Sequence, residues 1–283
     1  MTNTFLTNLV EMKELNNLFI ELTAKNCNQH CKQCYINFPI SKNVKDFISV
    51  DKIKEALWQT KSEAVKCIYL TGAEPMTHPD FNSILRLCLE YNNTCICTNA
   101  SFINEKKARF LKKVEDEGEN EIIFMLSFAH YNEIKNDDIR VRGAYRQTIN
   151  AIKALSKYGF NPILNISNFY NESESVILSE MQSLCQKLNV ETGKINFIIN
   201  KAHNVNTNES WDINFDPKSR TDCKSGRILT EKGIYVCPFL ANDHRGRMGN
   251  DFTDYSKKMY LETEYCKTCC SNKHQMFSID FNS

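Results

Sequence analysis

The sequence lacks an excess of charge of either sign, a long apolar run and a secretion signal. Its 283 residues include 35 basic and 34 acidic side chains, so the charge balance gives no indication of a nucleic-acid or anionic-membrane partner. No apolar run approaches the ~20 residues that a membrane span needs. Residues 1–17 have neither the basic start nor the apolar core of a signal peptide. We therefore expect a cytoplasmic protein that acts without a membrane or nucleic-acid partner.

Strand-like runs rich in β-branched and aromatic residues alternate with helix-like runs through the first 200 residues. The predicted strands cover residues 18–24, 67–73, 94–100, 122–128, 161–167 and 194–200, and the predicted helices cover 49–64, 81–92, 104–118, 144–159 and 173–189. Such alternation implies a parallel sheet, because parallel neighbours need crossover helices. Six units predict an α/β fold, either an open doubly wound sheet or an incomplete barrel, with reactive groups at the carboxyl ends of the strands.

The rest of the chain has a different character. Residues 201–222 are polar and turn-rich, which predicts a linker. Residues 223–283 contain a predicted β-hairpin around Lys232 and Gly233, followed by a cysteine-rich end. We therefore predict a core domain over 1–200, a linker over 201–222 and a small α+β domain over 223–283.

Thirteen cysteines are many for a chain without a secretion signal. The odd number and the expected reducing compartment argue against a disulfide framework and favour metal binding where cysteines cluster. The cysteine triad consists of Cys27, Cys31 and Cys34. The second cysteine group consists of Cys223, Cys237, Cys266, Cys269 and Cys270. Five others lie in apolar segments, where thiols usually pack as small core side chains; they are Cys67, Cys88, Cys95, Cys97 and Cys185.

The cysteine triad has a C-x3-C-x2-C spacing directly after the first predicted strand. A structural zinc site would take Cys31 and Cys34 together with Cys266 and Cys269, but Cys27 would then have no role. An iron–sulfur cluster uses all three thiolates, because each iron of a four-iron cluster normally takes one cysteine and one iron here stays open. An open coordination position is typical of catalytic metals and not of structural ones.

This spacing, followed by the aromatic Tyr35, resembles the radical S-adenosylmethionine (SAM) enzymes. The resemblance implies a partial (β/α)6 TIM-like barrel in which Cys27, Cys31 and Cys34 hold a catalytic [4Fe-4S] cluster. SAM would chelate the open iron and be cleaved by an electron from the cluster, giving a 5′-deoxyadenosyl radical that abstracts a substrate hydrogen. The resemblance also implies a low-potential electron donor, such as flavodoxin or ferredoxin, as a partner.

Motifs at later strand ends extend the resemblance. TGAEP at 71–75 resembles the Gly-Gly-Glu-Pro of the family, with an alanine in place of one glycine, and this alanine requires a negative φ. TNA at 98–100, LSF at 126–128 and DIR at 138–140 resemble three further family segments. The implied SAM contacts are Tyr35, Gly72, Ala73, Glu74, Asn99, Ser127 and Arg140, with Arg142 as an alternative to Arg140.

The second cysteine group resembles the ligand set of a twitch domain, a shorter relative of the SPASM domain that follows the barrel in many radical SAM enzymes. This resemblance implies an auxiliary [4Fe-4S] cluster closed by four thiolates, those of Cys223, Cys237, Cys266 and Cys269. Cys270 is then left over, either as a substitute ligand or as a thiol near the substrate. A zinc ribbon built from the same four cysteines is the alternative.

Three functions stay open at this point. The first is hydrogen abstraction from a peptide or protein, giving oxidation, a crosslink or epimerisation; residues 1–17 leave no room for a fused leader-binding domain. The second is a small-molecule dehydrogenase acting on an aminosugar or alcohol, and the third is a non-enzymatic module with zinc in both cysteine groups. His30 is a candidate for tuning the triad cluster, and the basic stretch 244–247 is a candidate contact for an acidic substrate group.

Overall fold

A computed structural model describes residues 9–36, 45–190, 195–202, 221–272 and 275–279 of the chain. These residues form strands and helices with the following bounds: β1 (Leu9–Glu11), β2 (Asn17–Thr23), α1 (Val50–Gln59), β3 (Cys67–Gly72), α2 (Phe81–Leu89), β4 (Thr94–Thr98), α3 (Glu105–Glu115), β5 (Ile122–Phe128), α4 (Glu133–Ile139), α5 (Ala144–Lys157), β6 (Ile163–Asn168), α6 (Glu174–Lys187), β7 (Asn196–Lys201), β8 (Gly226–Thr230), β9 (Gly233–Tyr235), β10 (Arg247–Gly249), β11 (Lys258–Tyr260) and α7 (Glu264–Cys270).

Nine of these strands form one sheet in the order β10-β9-β8-β2-β3-β4-β5-β6-β7. Each strand from β2 to β7 runs parallel to the next, as the βα alternation predicts. On its other side β2 pairs in parallel with β8, whereas β9 pairs antiparallel with both β8 and β10. The hairpin expected around Lys232 and Gly233 is present as β8 and β9. The short strands β1 and β11 pair with each other in a separate sheet.

The two faces of the large sheet pack against different neighbours. Residues of one face join a core with the helices; they include Leu18, Ile20, Leu70, Ile96 and Leu126. Residues of the other face contact one another in a second cluster, which includes Phe19, Tyr69, Cys95, Met125 and Ile228. The helices therefore cover one face only, and the other face closes on itself as the interior of a partial barrel. The incomplete barrel is confirmed, and the doubly wound alternative is wrong.

Local sequence explains where the crossover helices begin. The Ser49 hydroxyl accepts a hydrogen bond from the Lys52 amide at 3.3 Å, and the Asn104 side chain accepts one from the Lys107 amide at 2.9 Å. Both are N-cap contacts, which satisfy backbone donors that a helix start leaves unpaired. α3 then buries every third residue against the sheet: Ala108, Leu111 and Val114.

Helix α4 has no counterpart among the predicted helices. Asn132 caps it by accepting a hydrogen bond from the Lys135 amide at 3.2 Å, and only Asn136 and Ile139 of its seven residues are buried. So short a helix has no sustained apolar period, which explains why pattern analysis misses it. Its end at Arg140 places that side chain against the carboxyl ends of β4 and β5.

The predicted linker falls mainly on residues 203–220, which lie outside the described residues. Residue 194 of the sixth predicted strand lies outside them as well. No helix in the described part of the chain combines the length and the apolar character that a membrane crossing requires.

Candidate active site

A cavity of about 190 Å³ that opens to solvent lies at the carboxyl ends of the barrel strands. All three cysteines of the triad line it. Six of the residues predicted to contact SAM also line it: Tyr35, Gly72, Ala73, Asn99, Ser127 and Arg140. Glu74 does not. The fold thus gathers residues from distant parts of the sequence at one end of the barrel, where catalytic residues of such barrels lie.

The cysteine triad lies on the loop after β2, and contacts with α4 hold this loop. The Lys32 amide donates to the Ile139 carbonyl at 2.8 Å, and the Lys32 ammonium pairs with Asp138 at 2.7 Å. The Gln29 amide donates to Sγ of Cys27 at 3.3 Å. The three half-buried thiols therefore face the cavity from a loop that an unexpected helix keeps in position.

Burial raises the pKa of all three triad thiols, and that of Cys34 reaches about 11. For Cys31, the charge and a hydrogen bond of Arg140 partly offset this rise. The thiolate is the form that binds metal. Binding of a cationic cluster at this loop must therefore displace the thiol protons, and it is favoured by higher pH.

Arg140 is buried, with 3% of its surface exposed, and it ties the strand ends to the triad loop. It donates to the Ser127 carbonyl at 2.5 Å, and to the Gln29 side chain and the Asn99 carbonyl at 2.9 Å each. Its Nε has no hydrogen-bond partner among the described residues. A buried, unpaired guanidinium donor beside the cavity suits the carboxylate of a bound cofactor. Arg142, the alternative, is exposed and does not line the cavity.

Gly72 and Ala73 form the turn at the end of β3, and only glycine fits the first position. Gly72 has a φ of +119°, and a Cβ there would overlap the carbonyl oxygen of Thr23 on the neighbouring strand. The Ala73 amide donates to the same oxygen at 2.8 Å. Ala73 is not among the described residues with positive φ. The turn thus tolerates an alanine where the family has a second glycine.

Glu74 is fully buried, and its carboxylate contacts the end of β4. It accepts hydrogen bonds from the Thr98 hydroxyl at 2.7 Å, the Asn99 amide at 2.8 Å and the Met76 amide at 3.1 Å. Burial raises its pKa, and these bonds partly offset the rise. Asn99 Nδ2 in turn lies 3.7 Å from Cys27 Sγ. In this structure, Glu74 therefore positions Asn99 beside the triad.

Tyr35 lies between the triad and the C-terminal part of the chain. Its ring packs edge-on against Phe239 and Phe277, with centroids 5.6 Å and 5.3 Å away. Burial raises the pKa of its hydroxyl. The SAM contact implied for Tyr35 stays a prediction.

Residues 22–181 match the family model described as the radical SAM superfamily. The match covers more than half of the chain and includes the triad and the strand ends described above. The chain belongs to the radical SAM superfamily. Members of this superfamily are enzymes that use SAM and a [4Fe-4S] cluster. The hypothesis of a non-enzymatic zinc module is therefore wrong.

Solved radical SAM structures share this fold. SuiB of Streptococcus suis bound to its precursor peptide SuiA aligns over 84% of this chain and 63% of SuiB, with a TM-score of 0.61 and 16% identity. Native anSMEcpe with bound AdoMet aligns over 85% of this chain and 78% of that protein, with a TM-score of 0.61 and 14% identity. The chain thus spans less than two thirds of the length of SuiB. The sequence has no significant match among curated proteins.

The residues around the triad fit the cofactors that radical SAM enzymes use. Three thiols on one loop can each take a different iron of one cluster. By contrast, no three His, Cys, Asp or Glu side chains among the described residues are arranged to hold a single metal ion. Arg140, whose Nε has no partner among the described residues, and the tight turn at Gly72 border the cavity that the triad lines.

A second cavity, of about 20 Å³, is lined by all five members of the second cysteine group. Most of its other lining residues are apolar or aromatic, among them Leu240, Met259, Leu261 and Tyr265. Burial raises the pKa of the Cys223 thiol to about 12 and also raises the pKa values of Cys237 and Cys269. The cavity is therefore suited to thiolates that a bound cluster neutralises.

Two threonine hydroxyls lie beside sulfurs of this cavity. Thr221 Oγ1 is 3.2 Å from Cys223 Sγ, and Thr263 Oγ1 is 3.2 Å from Cys266 Sγ. Hydrogen bonds to cluster sulfurs are one of the means by which a protein sets a cluster's reduction potential. The hydroxyls are thus in position to stabilise the reduced form of a bound cluster.

Phe239 and Phe277 border both cavities. Their ring centroids are 4.8 Å apart with an interplanar angle of 83°, and Tyr35 packs against both. The Phe277 amide donates to the buried Asp222 carboxylate at 3.3 Å, which holds this segment in place. We call Tyr35, Phe239 and Phe277 the aromatic wall, because together they separate the two cysteine sites.

One cysteine lies elsewhere than the sequence predicts. Cys97, interpreted as a core residue, is half-buried and lines the active-site cavity. An apolar strand pattern shows that a face is inside the barrel, but not whether that part of the interior is packed or open. Of the two alternatives for Cys270, a substitute ligand or a thiol near the substrate, its position in the lining of the second cavity agrees with the first. The other four scattered cysteines are buried as predicted: Cys67, Cys88, Cys95 and Cys185.

His30 and the basic stretch 244–247 line neither cavity. His30 is exposed. Arg245 pairs with Asp243 at 2.7 Å and with Glu264 at 3.4 Å. The acidic groups that this basic stretch contacts thus belong to the chain itself.

The structure adds polar cavity residues that sequence analysis did not select. They are Gln29, Asn165, Ser167, Asn200 and Lys201. Three of them can be recognised in the sequence. Asn165, Ser167 and Asn200 are polar residues at inward positions of otherwise apolar strands. Alternation of this kind marks the face of a barrel strand that lines a site.

Glu21 introduces a pH-dependent contribution to stability. It is on β2 with 7% of its surface exposed, and Asn242 Nδ2 donates to its carboxylate at 2.6 Å. Burial raises its pKa from 4.5 to about 7, although Asn242 and the charge of Lys232 oppose the rise. Because the folded state holds this proton more tightly than the unfolded state, stability falls as pH rises through the window from 4.5 to 7.

We expect Glu21→Gln to remove this part of the pH dependence. Between pH 5 and pH 8, the free energy of unfolding should fall by about 2–3 kcal/mol more in the wild-type protein than in Glu21→Gln. Anaerobic urea denaturation at the two pH values measures this. Glu121→Gln, at an exposed position, is the control and should follow the wild type. Parallel pH profiles for Glu21→Gln and the wild type would contradict the expectation.

Proposed function

We propose that this radical SAM enzyme abstracts a hydrogen atom from a peptide or protein and that an auxiliary [4Fe-4S] cluster accepts the electron that completes the oxidation. The proposed auxiliary ligands are Cys223, Cys237, Cys266 and Cys269. The observation that carries the proposal is the second cysteine-lined cavity, which shares the aromatic wall with the active-site cavity. The product, an oxidised or crosslinked residue, then lacks two hydrogen atoms.

The residues of the first cavity hold and orient the cofactors in this proposal. Cys27, Cys31 and Cys34 bind the catalytic cluster, which together with SAM supplies a 5′-deoxyadenosyl radical. Arg140 offers its buried Nε to the SAM carboxylate. The backbone at the Gly72 turn contacts the amino group, while Asn99 and Ser127 form further contacts from β4 and β5.

The chemistry of the second cavity supports an electron acceptor. Four thiolates would close its cluster completely, so no iron stays open to bind a substrate. The apolar lining and the hydroxyls of Thr221 and Thr263 are the features that adjust a cluster potential. Phe239 and Phe277 of the aromatic wall line both cavities, and their rings pack against each other. A flavodoxin or ferredoxin supplies the first electron.

Two observations support a peptide substrate. The active-site cavity opens to solvent, which suits a substrate that extends beyond it. Structures with the same fold include SuiB bound to a precursor peptide and anSMEcpe bound to AdoMet and the Kp18Cys peptide. A peptide is therefore the first substrate class to test.

The test is anaerobic incubation of the reconstituted enzyme with SAM, dithionite and a synthetic pool of capped peptides. We expect 5′-deoxyadenosine together with peptides that have lost two hydrogen atoms, detected by mass spectrometry. The peptide proposal would be replaced by the small-molecule alternative under two conditions. No peptide would change in mass, and formation of 5′-deoxyadenosine would depend on added aminosugars or alcohols.

We expect Cys266→Ala to retain SAM cleavage and to lose the peptide product. Without one of four thiolates the auxiliary cluster is lost, and the substrate radical has no electron acceptor. The iron content should fall from about eight to about four per chain. Cys185→Ala, at a buried cysteine away from both cavities, is the matched control and should keep both activities. Unchanged product formation in Cys266→Ala would remove the auxiliary cluster from the mechanism.

A further inference from the structure

Asn200 carries a buried hydrogen-bond acceptor for which the described residues provide no partner. The side chain lies near the end of β7 and is 2% exposed. Its Nδ2 donates to Asn165 Oδ1 at 3.0 Å, whereas its Oδ1 has no partner in the described part of the chain. Buried amide oxygens nearly always have a partner. Because Asn200 lines the active-site cavity, that partner can come from a bound molecule.

The orientations of the two amides follow from their neighbours. Asn165 Nδ2 donates to the Met276 carbonyl at 3.3 Å, so its Oδ1 is the atom that meets Asn200. Turning the Asn200 amide alone would place two oxygens in contact. Turning both amides would place Asn165 Oδ1 against the Met276 carbonyl. The chain of contacts therefore leaves Asn200 Oδ1 as the acceptor.

This acceptor lies on the part of the cavity to which no SAM contact is attributed. In the parallel ladder Asn165 pairs with Ser127 of β5, and Asn200 pairs with Ser167 of β6. Asn165, Ser167 and Asn200 therefore share the inner face of β6 and β7. The residues proposed for SAM come from the triad loop, from β3 to β5 and from the end of α4. The polar face of β6 and β7 is left for the substrate.

The charges around the cavity favour a neutral donor at Asn200. Its charged lining residues are Arg140 and Lys201, and no Asp, Glu or His of the described residues lines it. A substrate ammonium here would be desolvated near Lys201, and no carboxylate side chain of the described lining would compensate its charge. An amide N–H donates a hydrogen bond without carrying charge, and peptide carbonyls or carboxylates are complementary to Lys201.

We propose that Asn200 Oδ1 accepts a hydrogen bond from an amide N–H of the substrate and so selects amide-containing molecules over amines. Asn165 holds the Asn200 amide in the required orientation. This inference rests on the proposed function, because it concerns the substrate of the same cavity, and it narrows that substrate to peptide chemistry.

Probe soaks of the SAM-loaded holoenzyme test the chemical class. Anaerobic crystals are soaked separately with N-methylacetamide, acetamide, methylammonium or ethylene glycol. We expect the nitrogen of N-methylacetamide, an analogue of the peptide main chain, within about 3.2 Å of Asn200 Oδ1. Acetamide alone at this atom would also support an amide and would assign it to a side-chain carboxamide. Methylammonium or ethylene glycol at this atom, or neither amide bound there, would overturn the proposal.

A pair of variants on β7 tests the residue in solution. Asn200→Leu keeps the branched shape of the side chain but removes the acceptor, whereas Asn196→Leu changes an exposed asparagine of the same strand. In NMR titrations we expect the Kd for N-methylacetamide to rise about tenfold in Asn200→Leu and to stay unchanged in Asn196→Leu. SAM cleavage without substrate should persist in Asn196→Leu. An unchanged Kd in Asn200→Leu would overturn the proposal, and the wild-type soaks decide the question if that variant does not fold.

The outcomes separate this inference from the proposed function. If an amide binds at Asn200 but no peptide is oxidised, the proposed peptide oxidation is refuted. The role of Asn200 Oδ1 as a hydrogen-bond acceptor for an amide is then kept. Oxidised peptides with the same KM in Asn200→Leu and the wild type would keep the reaction and refute the role of Asn200.

Discussion

Replacing Cys31 with alanine is expected to abolish formation of 5′-deoxyadenosine from SAM. The triad supplies only three thiolates, so a cluster that loses one of them keeps two of its four irons without a protein ligand. Among the described residues, the Cys31 thiol contacts Gln29 at 3.8 Å and Arg140, neither of which replaces a thiolate. Chromatography of 5′-deoxyadenosine after dithionite reduction measures the effect.

A matched variant separates loss of the cluster from loss of the fold. Cys88→Ala removes a fully buried thiol of α2 that lines neither cavity, and it should keep SAM cleavage at the cost of about 1 kcal/mol of stability. Cys31→Ala should also keep about four irons, those of the proposed auxiliary cluster. SAM cleavage by Cys31→Ala at the wild-type rate would contradict the role of the triad.

Replacing Gly72 with alanine is expected to destabilise the fold by more than about 3 kcal/mol and to weaken SAM binding. A positive φ is strained for any residue with a Cβ, and here the Cβ also overlaps the backbone oxygen of Thr23. That oxygen accepts the Ala73 hydrogen bond, so relief of the overlap would shift both β2 and the turn. The triad loop begins just after Thr23, and the shift would therefore reach the cluster ligands.

Gly143→Ala provides the control for strain without overlap. Gly143 also has a positive φ, +88°, but a Cβ there would meet nothing within 4 Å. Gly143→Ala should lower the free energy of unfolding by about 1–2 kcal/mol. Urea denaturation of the two variants, with SAM affinity measured by titration, gives the cost of the overlap as a difference. If the two variants lost the same free energy of unfolding, β2 would have moved away from the added Cβ at no cost in stability. That result would contradict this account of Gly72.

The sequence predicts those helices and strands whose apolar residues follow a regular period. The helix predicted over 104–118 is α3 (Glu105–Glu115), and the strand predicted over 122–128 has the same bounds in β5. Each pattern arises from a local cause, which is one apolar face on a helix or an alternation on a strand. The triad spacing and the motifs at the strand ends are local as well. They predict residues that the fold then brings to one cavity.

The features that sequence analysis misses depend on contacts between distant residues. The unpaired oxygen of Asn200 arises from a contact chain that runs through Asn165 to Met276. The aromatic wall joins residues near 35, 239 and 277, and no local pattern relates them. The pairing of β8 with β2 likewise makes the C-terminal hairpin a continuation of the barrel sheet. The domain bounds at 200 and 223 stay a prediction.

The pairing of β2 with β8 also has a consequence for synthesis on the ribosome. Asn17 pairs with Gly226 and Ile20 with Leu229, so one edge of β2 finds its neighbour only after most of the chain has been made. At ~5–20 residues per second, this edge waits roughly 10–40 s for its partner. An unpaired strand edge is a template for pairing with other chains. The strand that leads into the triad loop is thus the part of the nascent barrel most exposed to aggregation.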